Sequence, residues 1–97
     1  MLQLSVHDFK EDFLNQSEYL LVDVREPSET ELGTIPGAIL CPMGQISELE
    51  MNDHKVVIVY CKAGGRSMRA CQYLNQAYPG REIYNLQGGY DQFSNEV

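Results

Sequence analysis

The chain has no tryptophan, only two histidines and three cysteines, and no unbroken apolar run longer than the six residues from Val56 to Cys61. Each shortage excludes something. A transmembrane helix takes roughly 18 consecutive apolar residues, so a run of six cannot supply one. The N-terminal stretch MLQLSVHDFKEDFL carries acids where an export signal carries a basic segment followed by an apolar one. Cys41, Cys61 and Cys71 are an odd number without a C-x-x-C pair, which makes a poor disulfide framework. With His7 and His54 isolated, no four-ligand cluster for zinc is visible either. A soluble, cytoplasmic protein without metal is therefore expected, with at least one thiol available to react.

Bases are also scarce: seven against fourteen acids give a formal charge of −7. That sign argues against nucleic acid or an anionic membrane as partner, since phosphate contacts need Lys and Arg. Acid, in turn, is missing from one stretch. Between His54 and Arg81 there is none, while Lys55, Lys62, Arg66, Arg69 and Arg81 fall there. This segregation predicts one anion-friendly region in an otherwise acidic molecule, able to focus a small anion.

What is present reads as one α/β domain over residues 1–97, without repeat, linker or low-complexity tract. Short apolar runs alternate with helical patterns, the order expected of β-α units on a parallel sheet. Ser5 can cap a helix from Val6 to Asn15. Tyr19–Val24 reads as a buried strand, and Pro27 suits the first turn of a short helix ending at Gly33. Ala38–Cys41 is a brief strand stopped by Pro42, and a helical segment follows from Met43 to Met51. Val56–Tyr60 is β-branched and apolar on both faces, as a central parallel strand should be. A helix from Arg66 to Tyr78 ends at Pro79-Gly80, Glu82–Leu86 is a last strand, and Gly88-Gly89 leads into a final helix. The expected architecture is three-layered: a small five-stranded parallel sheet with helices on both faces.

The chemistry points to Cys61-Lys-Ala-Gly-Gly-Arg66-Ser67. Cys61 stands at the C-terminal end of the central strand, where open α/β sheets place their ligand sites. The loop runs straight into a helix, so unpaired N–H groups and the positive end of the helix dipole would favour thiolate over thiol. Lys62 and Arg66 would add positive charge, and Gly64 and Gly65 would accept positive φ, so that N–H groups turn inward as an anion-holding nest. Such surroundings lower a thiol pKa below its free value of about 8.5, and the thiolate is the nucleophile.

This loop closely resembles the active-site loop of rhodanese-type sulfurtransferases. Leu-Val-Asp23-Val-Arg25-Glu26-Pro27 and Gly33-Thr-Ile-Pro36-Gly37-Ala38 are similar to that family's two N-terminal motifs. Leu86-Gln-Gly88-Gly89-Tyr-Asp-Gln-Phe93 is similar to its closing Gly-Gly motif. The four motifs cover nearly the whole chain. The resemblance implies a rhodanese-like fold and a Cys61 persulfide, formed from a small anionic donor such as thiosulfate with release of sulfite. The sulfur then passes to cyanide or a thiol, which includes a protein thiol such as thioredoxin. Backbone N–H groups from Lys62 to Arg66 would cradle the outer sulfur, and no cofactor is implied. Thr34 stands where the family often has His, which implies a local change of contact and not a lost activity. Phe93, near a frequent Trp, reads as a core aromatic.

Asp23 and Arg25 follow a buried strand and should lie at the same sheet edge, as loop-orienting residues or as a salt bridge between loops. Cys71 falls on the apolar face of its helix and reads as a core residue; Cys41 is left unplaced. Two other functions compete with sulfur transfer. One is a non-catalytic rhodanese-like binding or sulfur-carrier module, although inactive members often lack the cysteine. The other is a Cys-dependent phosphatase or arsenate reductase. Phosphatases of this kind place five residues between Cys and Arg, and here only Lys62, Ala63, Gly64 and Gly65 intervene.

Overall fold

The computed structural model describes residues 2–16 and 18–96. Five parallel strands form one sheet: β1 (Leu2–Leu4), β2 (Tyr19–Asp23), β3 (Ile39–Leu40), β4 (Val56–Tyr60) and β5 (Glu82–Leu86), in the order β1-β5-β4-β2-β3. Among the described residues four α-helices accompany them: α1 (Val6–Asp12), α2 (Pro27–Thr30), α3 (Gly65–Ala77) and α4 (Gly89–Asn95). A 3₁₀ segment covers Met43–Glu48. The expected α/β class, parallel sheet and strand count all hold. The fifth strand, β1, is the one no sequence pattern had located: three residues are too few to show a period.

β4 is central because it can afford no wet face. Val57, Ile58, Val59 and Tyr60 are each fully buried, and burying one such side chain contributes about 1.5–3 kcal/mol. Alternation along the strand divides the core in two. Val57, Val59 and Cys61 face α3 through Ala70, Cys71 and Leu74, with Leu49 and Met51 closing that layer. Ile58 and Tyr60 face the other way, toward Val6 and Phe9 of α1 and Tyr90 and Phe93 of α4. Phe93 packs as a core aromatic, its ring 6.3 Å from that of Phe9.

Three helical segments are shorter than the sequence suggests. α1 begins as expected, with Ser5 Oγ accepting from Asp8 N at 3.0 Å, but stops at Asp12. There Leu14 N turns back to Phe9 O and Gln16 N to Phe13 O. α2 ends at Thr30, where Leu32 N and Gly33 N bond to Glu29 O and Thr30 O as a tight turn. The segment after Pro42 is 3₁₀ and ends at Glu48, because Leu49 turns extended to reach the core.

The chain leaves β2 toward β3 on one side and leaves β4 toward β5 on the other. The crevice between the C-terminal ends of β2 and β4 is thus a topological switch point, the position where such sheets bind ligands. Among the described residues no helix is long and apolar enough to cross a membrane.

Candidate active site

Cys61 follows the last residue of β4 and is 1% exposed, at the bottom of the loop that leads into α3. The loop is held from outside. Tyr90 N, in the first turn of α4, donates to Cys61 O at 2.8 Å, and Asp91 N donates to Lys62 O at 3.0 Å. In a trans peptide the N–H points opposite to the C=O, so fixing these carbonyls outward turns the next amides inward. Gly89 makes the approach possible: a Cβ there would lie 2.3 Å from Cys61 O and 2.7 Å from Lys62 O. Gly64, at φ +110°, then reverses the chain into α3, and its N–H donates to Cys61 Sγ at 3.0 Å. Gly65 differs from expectation. It is an ordinary helical residue without positive φ, so one glycine and not two makes the turn.

Burial by itself pushes the Cys61 thiol up. The Ser67 hydroxyl and the backbone N–H groups of Ser67, Gly64 and Ala63 more than offset it, and the net shift is downward. The two expected cations come second to these donors, although the Arg66 charge does interact with the sulfur. Lys62 Nζ is 2.8 Å from Asp91 Oδ2. Arg66 is gripped by both oxygens of Glu29, at 2.6 and 2.8 Å. Neither carboxylate was foreseen, because Glu29 and Asp91 lie far from the loop in sequence. The thiolate is favoured first by aimed dipoles, with the paired Arg66 adding its charge to them.

The expected single anion-friendly region is split, because strand direction divides its bases. Lys55 and Arg81 precede β4 and β5 and so stand at the end of the sheet away from Cys61. There Arg81 donates to the carbonyls of Met51, Asn52 and His54.

Ser67 Oγ lies 3.4 Å from Cys61 Sγ, 3.1 Å from Gly64 O and within hydrogen-bond reach of Asn85 Oδ1. Its single proton can serve only one of these at a time. Asn85, 2% exposed on β5, turns its Nδ2 to Gln3 Oε1 at 3.1 Å. No sequence signal had marked it; a polar residue inside an apolar strand beside the loop was the available clue. An open groove of about 460 Å³ runs past this cluster, lined among others by Ala63, Gly64, Gly65, Met68 and Asn85. A larger hollow of about 700 Å³, beside Asn52–Val56, is at the far end of β4 and holds no loop residue.

Asp23 and Arg25 reach the same edge but grip each other. Arg25 Nη2 and Nε lie 2.8 and 3.0 Å from the Asp23 carboxylate, both residues buried. Hydrogen bonding to Asp23 holds the guanidinium protonated. Arg25 also donates to Gly33 O at 2.7 Å and lies over the Tyr90 ring at 4.4 Å. The pair therefore ties the 33 loop to α4, and it also meets Tyr60, the residue directly before Cys61, with the guanidinium 5.8 Å from that ring. Cys71 is a fully buried core residue, 3.5 Å from Tyr84 O, with its thiol pushed up to about 12 by burial. Cys41 packs in the same core layer with Sγ 3.4 Å from Gln45 O, and burial raises its pKa too.

Residues 5–96 match the Rhodanese-like domain family. The chain belongs to that family. It is 43% identical over 74 residues to a protein of Allochromatium vinosum named Sulfurtransferase, covering 74% of this chain and 68% of that protein. It is 34% identical over 98 residues to Rhodanese-like/PpiC domain-containing protein 12 of Arabidopsis thaliana, covering 95% of this chain but only 32% of that longer protein. The crystal structure of a rhodanese-like domain protein from Staphylococcus aureus superposes with a TM-score of 0.84 at 30% identity, covering 99% and 94% of the two chains. The rhodanese-like fold expected from the four motifs is thus shown by both sequence and structure.

Proposed function

We propose that this protein is a sulfurtransferase that carries sulfane sulfur as a persulfide on Cys61. The observation that supports it most is the set of donors around Sγ: the Gly64 amide at 3.0 Å, the Ser67 hydroxyl within reach at 3.4 Å, and the neighbouring amides of Ala63 and Ser67, which together lower the pKa of that sulfur. Preorganised donors of this kind stabilise a developing anion by about 3 kcal/mol each when they are well aimed. The relatedness to a protein named Sulfurtransferase agrees.

With thiosulfate as donor, the Cys61 thiolate attacks the outer sulfur. A new S–S bond forms, the bond to the sulfonate sulfur breaks, and its electron pair leaves with sulfite. The persulfide's outer sulfur carries the negative charge into the nest of amides. Cyanide attacks that sulfur, leaves as thiocyanate and restores the thiolate; a thiol acceptor, on a small molecule or a protein such as thioredoxin, takes it as a new persulfide. No metal or organic cofactor enters either step. At 1% exposure Cys61 admits a single terminal atom more readily than a bulky tetrahedral centre, which favours sulfur over phosphate. Lys62 and Arg66 flank the loop, and Asp23 and Arg25 support it at one remove, through Tyr60 and Tyr90.

Intact mass after incubation with thiosulfate tests this directly. The wild type should gain one sulfur atom that cyanide removes, and Cys61→Ser should gain none. A folded wild type that gains nothing from thiosulfate or from an alkyl persulfide would remove the reading.

A further inference from the structure

Arg66 is the loop's own arginine, yet its two terminal nitrogens are spent on a carboxylate of the same protein. The contact is a two-pronged one, Nη1 to Glu29 Oε1 at 2.6 Å and Nη2 to Oε2 at 2.8 Å. This is the geometry with which a guanidinium takes a carboxylate or other oxyanion from solution. Glu29 is placed for the task by its own helix. Its Oε1 also accepts from Glu26 N at 3.0 Å across the first turn of α2, so the carboxylate is fixed before Arg66 meets it. The pair is partly open to solvent, Arg66 at 37% and Glu29 at 26%, so an incoming anion can compete. On the other side of the loop Asp91 occupies Lys62. No loop cation is left free for a dianion.

We propose that Glu29 is a specificity-determining residue: a built-in carboxylate that competes with dianionic sulfur donors for Arg66 and turns the site toward donors that need no oxyanion grip. The donors so favoured are thiol-borne persulfides, R–S–SH. Their transfer balances without any co-reactant. The Cys61 thiolate attacks the outer sulfur, the donor's own S–S bond breaks with its electron pair on R–S⁻, and the proton of the new Cys61 persulfide passes to that thiolate. Thiosulfate must instead bring two negative charges past Glu29 and displace it. The inference rests on the sulfurtransferase reading for its chemistry, but its binding part stands without it.

Glu29→Gln separates the two. Glutamine keeps the acceptor oxygen that caps Glu26 N, so α2 is preserved while the charge is lost. In the Cys61→Ser background, which cannot turn over, calorimetric titration with thiosulfate should show about fivefold tighter binding once Glu29→Gln is added. The gain should shrink as salt rises, since both pairing and repulsion are partly screened. In the Cys61 enzyme the ratio of kcat/KM for thiosulfate to that for cysteine persulfide should rise about fivefold, through KM for thiosulfate. Unchanged or weaker thiosulfate affinity in the folded double variant overturns the role of Glu29. Tighter binding in the double variant, with no transfer from either donor in the Cys61 enzyme, keeps the anion gate and removes the sulfurtransferase reading.

Discussion

Cys61 and Cys71 are ten residues apart, both buried, in the same core layer, and their thiols are pushed in opposite directions. Burial acts on both and disfavours the charged form. What differs is the backbone around them. Cys61 sits where a strand has ended and a helix has not yet closed its hydrogen bonds, so amides without helical partners are aimed at its sulfur. Cys71 sits in mid-helix, where every nearby amide is already bonded within α3, and its sulfur finds only Tyr84 O at 3.5 Å. A sulfur near a carbonyl gains nothing by ionising. In this fold the position of a cysteine relative to a helix start decides more than its depth.

The largest way to break that contrast is to exchange the roles of the two thiols. Cys61→Ser should abolish sulfur loading in the intact-mass experiment, whereas Cys71→Ser should retain most of it. A folded Cys71→Ser protein without turnover would mean that the buried thiol takes part, and the division between a reactive and a structural cysteine would fail.

The next effect comes from the device that turns the loop amides inward. Gly89→Ala puts a methyl group into the carbonyls of Cys61 and Lys62, at a φ of +57°. Strain and overpacking together should cost about 2–4 kcal/mol of stability. Loading of Cys61 should fall at least tenfold, because the loop must move away from α4. Denaturant unfolding and the loading rate measure the two consequences. A Gly89→Ala protein with normal loading would show that the loop holds its amides inward without α4.

Much of this contrast can be read from the residues in order, and part cannot. Val56–Tyr60 and Glu82–Leu86 announce their strands by composition, and both strand bounds hold. Cys61 at a strand end, followed by Gly64 and a helix, announces the site by the same local logic. What fails is whatever depends on partners distant in sequence. Lys62 and Arg66 read as free cations because Glu29 and Asp91 belong to other elements, and the basic segment from Lys55 to Arg81 reads as one patch because a strand's direction is invisible in a charge count. Asn85 reads as a strand residue, which it is; that its amide carbonyl meets Ser67 depends on the pairing of β5 with β4. Local chemistry was legible, and its neutralisation was not.

Ser67→Ala moves Cys61 one step toward the condition of Cys71. The hydroxyl is among the groups that lower the Cys61 pKa, beside the amides, so its loss raises that pKa. The reactive thiolate is lost as pH falls through the pKa, so the half-maximal point of the loading rate should move to higher pH. At neutral pH the rate should drop about fivefold, the scale of one long hydrogen bond to a charged sulfur, ~1 kcal/mol. An unmoved pH profile would assign the whole effect to the backbone and leave the hydroxyl to Asn85.

The smallest effect belongs to Cys71 and appears only in alkali. Its pKa is pushed up to about 12 in the folded protein, so between the ordinary thiol range and that value the unfolded chain has released a proton that the folded chain retains. The unfolded state then binds fewer protons, and stability must fall as pH rises through this window. Tyr60, also pushed upward by burial, adds to the same decline. Cys71→Ala removes one contribution and leaves the other, so the difference between the two stability curves isolates the thiol. At neutral pH the variant should lose only about 1 kcal/mol, from packing. Above pH 9 the deficit should narrow, because the wild type alone bears the cost of keeping Cys71 neutral. A deficit constant up to pH 12 would mean that Cys71 ionises equally well in both states, and that mid-helix burial does not hold a thiol neutral here.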